Sequence, residues 1–225
     1  MSLIVTTEFE LNRVAAPNLP RAPVQYNAQY QEQFNNVLRL YFNRLDNLFQ
    51  QLNTGSGTEG LVFPYGAFSS DQDQTTTANT ATLMTLNTTD FANGVSIDTS
   101  KIRVVNAGIY NLQFSAQFQN TDNQIQDISI WLRQGNDGGT SADIPGSTGF
   151  VSIPARKSAS AGEEAHEIIG WNYYVSMQVD DYVQIYWSAT NASVTIQHYP
   201  TATSPTRPST QSVVATLSFV SAIPA

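Results

Sequence analysis

The fold of this chain is decided by one stretch, Gly108-Ile109-Tyr110-Asn111-Leu112-Gln113-Phe114-Ser115-Ala116-Gln117-Phe118. Apolar side chains occupy every second position from Tyr110 to Phe118, and amide or hydroxyl side chains lie between them. A period of two is typical of a β-strand with one face in a core and the other in water. The stretch therefore predicts a strand with one buried face.

The same alternation recurs along residues 60–225. Further apolar strand faces are formed by Ile128, Ile130 and Leu132; by Trp171, Tyr173, Val175 and Met177; by Val183, Ile185 and Trp187; and by Val213, Ala215, Leu217 and Phe219. Shorter candidates lie at residues 66–68, 82–86, 95–97, 101–104 and 194–197, and Gly-, Asn- and Pro-rich turns separate them. We therefore expect a mainly β domain over 60–225, a sandwich or jelly roll of about ten antiparallel strands.

The segment before this domain has a helical period. Residues 26–52 contain neither Pro nor Gly, which predicts one helix about 40 Å long at about 1.5 Å per residue, followed by a Gly/Ser hinge up to residue 59. Six apolar residues recur at spacings of 4, 3, 4, 3 and 4: Phe34, Leu38, Tyr41, Leu45, Leu48 and Leu52. Such a seam is typical of a coiled coil, so we interpret 26–59 as a candidate stalk that joins copies of this chain.

Two readings of the helix remain open at this point. Val37, Phe42 and Phe49 widen the apolar face beyond a two-helix seam. A wide face suits a coil of three or more helices, and it also suits an amphipathic helix packed on its own domain.

Residues 1–25 form a third kind of sequence. Pro17, Pro20 and Pro23 favour extended backbone, and the apolar members before them are Leu3, Val5, Phe9 and Leu11. Such a segment cannot bury enough surface by itself to stay ordered. We interpret it as an anchoring arm that binds a neighbouring chain.

The composition excludes several classes of function. The chain of 225 residues has no Cys, which removes disulfide scaffolds, Cys-type zinc sites and thiol catalysis. Its net charge of −8, without any Lys/Arg run, argues against nucleic acid or an anionic membrane surface as partner. Ser, Thr, Asn and Gln supply 80 of the 225 residues, so the surface is neutral and polar.

Targeting and catalytic motifs are also absent from the sequence. We expect no signal peptide and no membrane span, because the first residues lack a basic region and the apolar runs are far shorter than about 20 residues. No nucleophile-elbow, phosphate-loop or zinc-protease motif occurs. We therefore expect neither an enzyme nor a cofactor.

One set of spacings resembles the jelly-roll family that contains tumour necrosis factor and the globular heads of complement's collagen-tailed recognition protein. Asp90, Gly108, Tyr110 and Phe114 match that family's signature by type, and Met84, Val95, Ile102 and Leu112 are apolar stand-ins at the remaining positions. Residues 177–183 look like the family's turn between its last long strands, with Asp180 in place of Gly, and residues 212–220 lie where its final strand lies. The resemblance implies a homotrimer, in which the helix would replace the collagen stalk.

The arm and the helix, with Leu38-Arg39-Leu40-Tyr41-Phe42-Asn43, also resemble the front end of small virion proteins of tailed bacteriophages. This likeness implies a structural virion protein made in the host cytoplasm. We expect a homotrimeric capsid decoration, cement or head-fibre protein on the outer capsid surface, bound through residues 1–25 to the major capsid protein or another virion protein. The alternative is a tail-fibre or receptor-binding tip that contacts host glycans.

Two groups of polar residues are candidate metal sites, and neither of them defines a set of ligands. Glu163, Glu164, His166 and Glu167 form the densest cluster of possible ligands, but such a group at a strand start is typical of a solvated edge. Asp71 and Asp73 lie in an oxygen-rich loop that could hold calcium, although it lacks the glycine and terminal Glu of a helix–loop–helix site. Metal binding therefore stays open.

Two aromatic residues are candidates for a subunit interface. Trp131 and Tyr186 fall on the opposite face of their strands from the Ile130/Leu132 and Ile185/Trp187 sets. Both faces of these strands then carry apolar groups. We interpret Trp131 and Tyr186 as candidates for a subunit interface, with glycan binding and local packing as the alternatives.

Overall fold

The computed structural model describes residues 15–53, 63–158 and 163–224. The chain divides into two compact units, Met1–Val62 and Phe63–Ala225, which are called the helical unit and the head below. The protein is mainly β, with one helix and antiparallel sheets in the described residues. In the same residues, no helix is both long and apolar enough to cross a membrane.

The helix α1 spans Ala28–Asn53. It begins at Ala28 rather than at the predicted Tyr26 because Asn27 is its N-cap: the Asn27 Oδ1 atom accepts the backbone N–H groups of Gln29 and Tyr30 at 2.9 and 3.2 Å. The absence of Pro and Gly over the following residues lets the helix continue for 26 residues.

The head contains sixteen strands among its described residues, and five of them are only two residues long. The strands are β1 (Tyr65–Ser70), β2 (Gln74–Thr75), β3 (Thr82–Leu83), β4 (Thr88–Asn93), β5 (Val95–Asp98), β6 (Lys101–Val104), β7 (Gly108–Asn120), β8 (Gln126–Gly135), β9 (Ala142–Asp143), β10 (Gly149–Ile153), β11 (Ala165–Met177), β12 (Tyr182–Ala189), β13 (Val194–Ile196), β14 (Ala202–Thr203), β15 (Thr206–Arg207) and β16 (Val213–Ser221). The predicted count of about ten is therefore not confirmed.

The first sheet is built around β7. Its order is β2-β13-β7-β16-β1-β4, and β11 pairs with the remaining edge of β7 over thirteen residues, from Ala165↔Asn120 to Met177↔Gly108. β16 and β13 share the opposite edge of β7. The long predicted strand is thus the centre of the sheet.

The second sheet is built around β8 and β12. Its order is β10-β8-β12-β6-β5, with β9 beside β8 and β3 beside β12. A two-stranded ribbon, β14–β15, lies outside both sheets.

One core cluster contains side chains from both sheets. The alternation of β7 places Tyr110, Leu112, Phe114, Ala116 and Phe118 in it, as predicted, and none of them is more than 6% exposed. Trp187 from β12 packs edge-on against Phe118, with ring centroids 5.5 Å apart. Among the described residues, the members of this core cluster all belong to the head.

Candidate functional site

The seam of α1 is half-buried in the single chain. Phe34, Leu38, Tyr41 and Leu45 have intermediate exposure, and the side chains of the other two predicted seam residues, Leu48 and Leu52, lie outside the described residues. Phe42 and Phe49, which widen this face, are 59% and 60% exposed. The helix thus presents a wide apolar face that the described part of this chain does not cover, which is uncommon for a helix that is stable alone.

The proline segment lies against the first turns of the helix. Pro17 and Pro20 are half-buried and Pro23 is exposed. The Tyr30 hydroxyl donates to the Pro20 carbonyl at 3.3 Å, and a shallow groove between the segment and the helix is lined by Leu19 and Val37, among others. Leu3, Val5, Phe9 and Leu11 of the predicted arm lie outside the described residues.

The residues of the family signature are mostly core residues. Buried members are Met84, Val95, Ile102, Gly108, Tyr110, Leu112 and Phe114. The Tyr110 hydroxyl donates to the Asn106 carbonyl at 2.8 Å, and burial raises the pKa of Tyr110 to about 12. Asp90 is exposed on β4, where its carboxylate accepts the Ser69 hydroxyl at 3.1 Å. These positions support the sandwich and form no reactive site.

Trp131 and Tyr186 are brought together on the outer face of the second sheet. They are direct cross-strand partners, both half-buried, with stacked rings 5.9 Å apart. The Arg133 guanidinium lies over the Tyr186 ring at 4.2 Å, and its Nε atom donates to Asp143 at 2.7 Å. That bond is the first cause of the lowered pKa of the Asp143 carboxyl. Both rings therefore have partners within their own chain.

A second cluster of charged side chains lies on the same sheet, and the sequence analysis did not predict it. Asp137, in the turn after β8, accepts Arg103 at 2.6 Å and Lys101 at 3.2 Å. The Lys101 ammonium also lies 4.4 Å from the centre of the Tyr182 ring. Hydrogen bonds from Arg103 first, and then from Lys101, lower the pKa of the Asp137 carboxyl. The available signal was the acidic residue within the glycine-rich turn 135–139.

A group of exposed apolar side chains lies where the chain of the head begins. We call Phe63, Tyr65, Phe91 and Val105 the base patch; these side chains are 42–62% exposed. The rings of Tyr65 and Phe91 lie 6.1 Å apart, Phe63 stacks on Phe219 at 5.7 Å, and the Val105 N–H donates to the Gly94 carbonyl beside Tyr65. A contiguous exposed apolar patch marks an interaction surface.

The predicted acidic clusters do not assemble into a metal site. Within residues 15–53, 63–158 and 163–224, no three His, Asp or Glu side chains come close enough together to hold a metal ion. In the second candidate, Asp71 accepts the side-chain amides of Asn87 at 2.6 Å and Gln72 at 2.9 Å, and Asp73 accepts the His198 backbone N–H at 2.8 Å. The bond from Gln72 is the first cause of the lowered pKa of Asp71. These carboxylates therefore accept hydrogen bonds from Gln72 of their own loop and from Asn87 and His198, which lie outside it.

The other candidate metal cluster, at the start of β11, lies beside Tyr199. Glu163 and Glu164 precede β11, and His166 and Glu167 lie exposed on it. The His166 Nδ1 atom lies 3.1 Å from the Tyr199 hydroxyl, at the mouth of a pocket. Tyr199 was not predicted as a site residue, because it belongs to no sequence motif and lies after the last predicted short strand.

Comparisons with known proteins leave the chain without an assigned family: no protein-family model matches it, and no curated protein matches its sequence.

Proposed function

We propose that this protein is a homotrimeric structural protein of a virion, in which α1 joins three chains and the heads project from the stalk. The observation that carries the proposal is the apolar face of α1, which is wide and incompletely covered in the single chain. Each fully buried seam side chain contributes about 1.5–3 kcal/mol, so six of them per chain can offset much of the cost of ordering the helix.

The head is proposed to be a jelly roll. Eight strands of the two large sheets pair in a nested order: β1 with β16, β6 with β12, β7 with β11, and β8 with β10. A chain whose first strand pairs with its last, and so on inward, is one long hairpin rolled into two sheets. That arrangement supports the family resemblance, and with it the trimeric state that the resemblance implies.

The base patch supports the same assembly independently of the helix. Nine residues, 54–62, lie between Asn53, the last residue of α1, and Phe63, the first residue of the head. Nine extended residues span at most about 30–32 Å, so three joined helices would hold three base patches within reach of one another. We assign the contact between heads to the base patch, because its side chains are 42–62% exposed, whereas Trp131 and Tyr186 are half-buried.

The arm is proposed to bind the major capsid protein or another virion protein through residues 1–25. Placing the chain on the outer capsid surface is supported by the uncharged polar composition, by the proline arm and by the resemblance of the arm and helix to small phage virion proteins. Three arms on one trimer bind more tightly than one by raising the effective concentration.

Gold-labelled antibodies against residues 63–225, applied to intact particles and viewed by electron microscopy, test this placement. Label over the whole head of the particle is expected. Label confined to the tail would contradict the capsid decoration role and favour the alternative, a receptor-binding tip. Particles without label would contradict a virion role.

A further inference from the structure

A pocket lies on the outer face of the first sheet, between β7, β11 and the segment after β13. It is lined by Gln117, His166, Ile168, Tyr199, Arg207 and Thr210, together with Phe118 from the core. Gln117 and Ile168 are cross-strand partners, and His166 is two residues before Ile168 on the same face of β11. Tyr199 and Thr210 exchange both backbone hydrogen bonds, at 2.8 and 3.2 Å, and form the opposite wall.

Three polar side chains of this pocket have unused hydrogen-bonding groups. The side chains of Gln117, Arg207 and Thr210 form no hydrogen bond within the part of the chain that the structure describes, and the three ion pairs found there use other cations. Arg207 is exposed on the β14–β15 ribbon, with its guanidinium available to a ligand. A guanidinium is the side chain best suited to bidentate binding of a carboxylate.

His166 and Tyr199 contribute one further donor. Burial raises the pKa of Tyr199, and the charges of Glu164 and Asp73 raise it further. The hydroxyl therefore keeps its proton at neutral pH, and its oxygen lies 3.1 Å from the His166 Nδ1 atom. Either member of the pair can donate to the other, and in both arrangements one donor is left for a ligand: the Nε2–H group if the hydroxyl donates to Nδ1, or the Tyr199 O–H group if Nδ1–H donates to the hydroxyl.

We propose that this pocket binds an acidic saccharide. The carboxylate of the sugar pairs with Arg207, its hydroxyls exchange hydrogen bonds with Gln117, Thr210 and His166, and its apolar ring face lies on the exposed side chain of Ile168.

The chemistry of the pocket favours a saccharide over a bare anion. Arg207 is the one cation in the pocket lining, Glu164 lies close enough to raise the pKa of Tyr199, and the whole chain carries a net charge of −8. A small anion gains little in such a field. A sugar acid adds neutral hydrogen bonds and apolar contact, which the field does not oppose.

The test uses the full-length chain and calorimetric titration with three acidic probes, trigalacturonate, trimannuronate and sialyllactose. Maltotriose serves as the neutral saccharide and inorganic phosphate as the bare anion. We expect at least one acidic probe to bind, Arg207→Gln to weaken it at least about tenfold, and Arg207→Lys to restore part of the loss. Arg21→Gln, which removes the same charge from an exposed site in the helical unit, is expected to leave the affinity unchanged.

Several results would overturn the assignment. If maltotriose bound as tightly as the acidic probes, the proposed pairing of Arg207 with a carboxylate would be wrong. If phosphate displaced an acidic probe at a concentration equal to that of the probe, the pocket would be an anion site and not a saccharide site. Failure of all three acidic probes would reject the saccharide altogether. The proposed binding does not rest on the proposed trimer, and the mass of each sample is recorded alongside, so that loss of binding in an intact trimer is distinguished from failure of assembly.

Discussion

The head and the helical unit treat their apolar side chains in opposite ways. In the head, Tyr110, Leu112 and Trp187 are fully buried among residues of the same unit. In the helix, Leu45 is only half-buried, and Phe42 is 59% exposed. Hydrophobic burial stabilises a fold in proportion to the area removed from water. Among the described residues, the head therefore has a core of fully buried side chains, whereas the helix carries an apolar face that is only partly buried. The trimer proposed above would cover that face.

The largest expected effect is on assembly. Leu45→Asp removes a seam leucine, worth about 2–5 kcal/mol per chain when buried, and places three carboxylates at one level of the coil. We expect a monomer by light scattering, with an unchanged near-UV spectrum of the head. Asn43→Asp adds the same charge at an exposed helix position and is expected to leave the trimer intact. A trimeric Leu45→Asp protein would contradict the stalk.

The next effect is on the head alone. Phe118→Ala removes a ring that is 1% exposed and packed edge-on against Trp187, which costs about 3–5 kcal/mol. Urea unfolding followed by tryptophan fluorescence measures this loss, and the helical signal of the stalk is expected to persist at urea concentrations where the head has unfolded. Simultaneous loss of both signals would mean that the two units are not independent.

A smaller effect is expected where β11 meets β7. A Cβ atom on Gly170 would clash with the Phe114 carbonyl oxygen, so Gly170→Ala forces the two strands apart and costs about 1–3 kcal/mol. Gly138 has nothing within 4 Å of the equivalent position, and Gly138→Ala is expected to change the free energy of unfolding by less than about 0.5 kcal/mol. Equal effects of the two variants on the unfolding midpoint would contradict the described packing of these strands.

The smallest effect is electrostatic. The pKa of Asp137 is lowered by Arg103 and Lys101, so its ion pairs stabilise the head above the ordinary carboxyl pKa of about 4, and this contribution is lost as the pH falls through the lowered value. Asp137→Asn is expected to lower the melting temperature slightly at pH 7 and not at pH 2, and 1 M salt should shrink the difference because the carboxylate is exposed. A difference that grows toward low pH would have the wrong sign.

Periodicity predicted the parts of the fold in which one face is buried and the other is not. β7, β11 and β16 were predicted for this reason, and their inward positions are those of the alternation. β4 gave no such signal because all six of its residues are exposed, and β10 was not predicted because Phe150, 77% exposed, points outward. Hydrophobic periodicity therefore reveals a strand only where its two faces differ in burial and the residues on the exposed face are polar.

The candidate sites were predicted less completely than the fold. Trp131 and Tyr186 meet because of the register between β8 and β12. The sequence of one strand does not show which residue of the other strand lies opposite it. The approach of Arg207 and Tyr199 to His166 depends on a long excursion between β13 and β16 whose path has no periodic signal. Contacts between residues far apart in the chain thus required the folded structure.

The account rests most directly on the assembly state of the intact chain. Light scattering of the purified protein across a wide range of concentrations measures it without any substitution. The account predicts a single species at three times 24.6 kDa that persists on dilution. A species of 24.6 kDa at every concentration would contradict it, because the apolar face of α1 would then be stable in water without a partner.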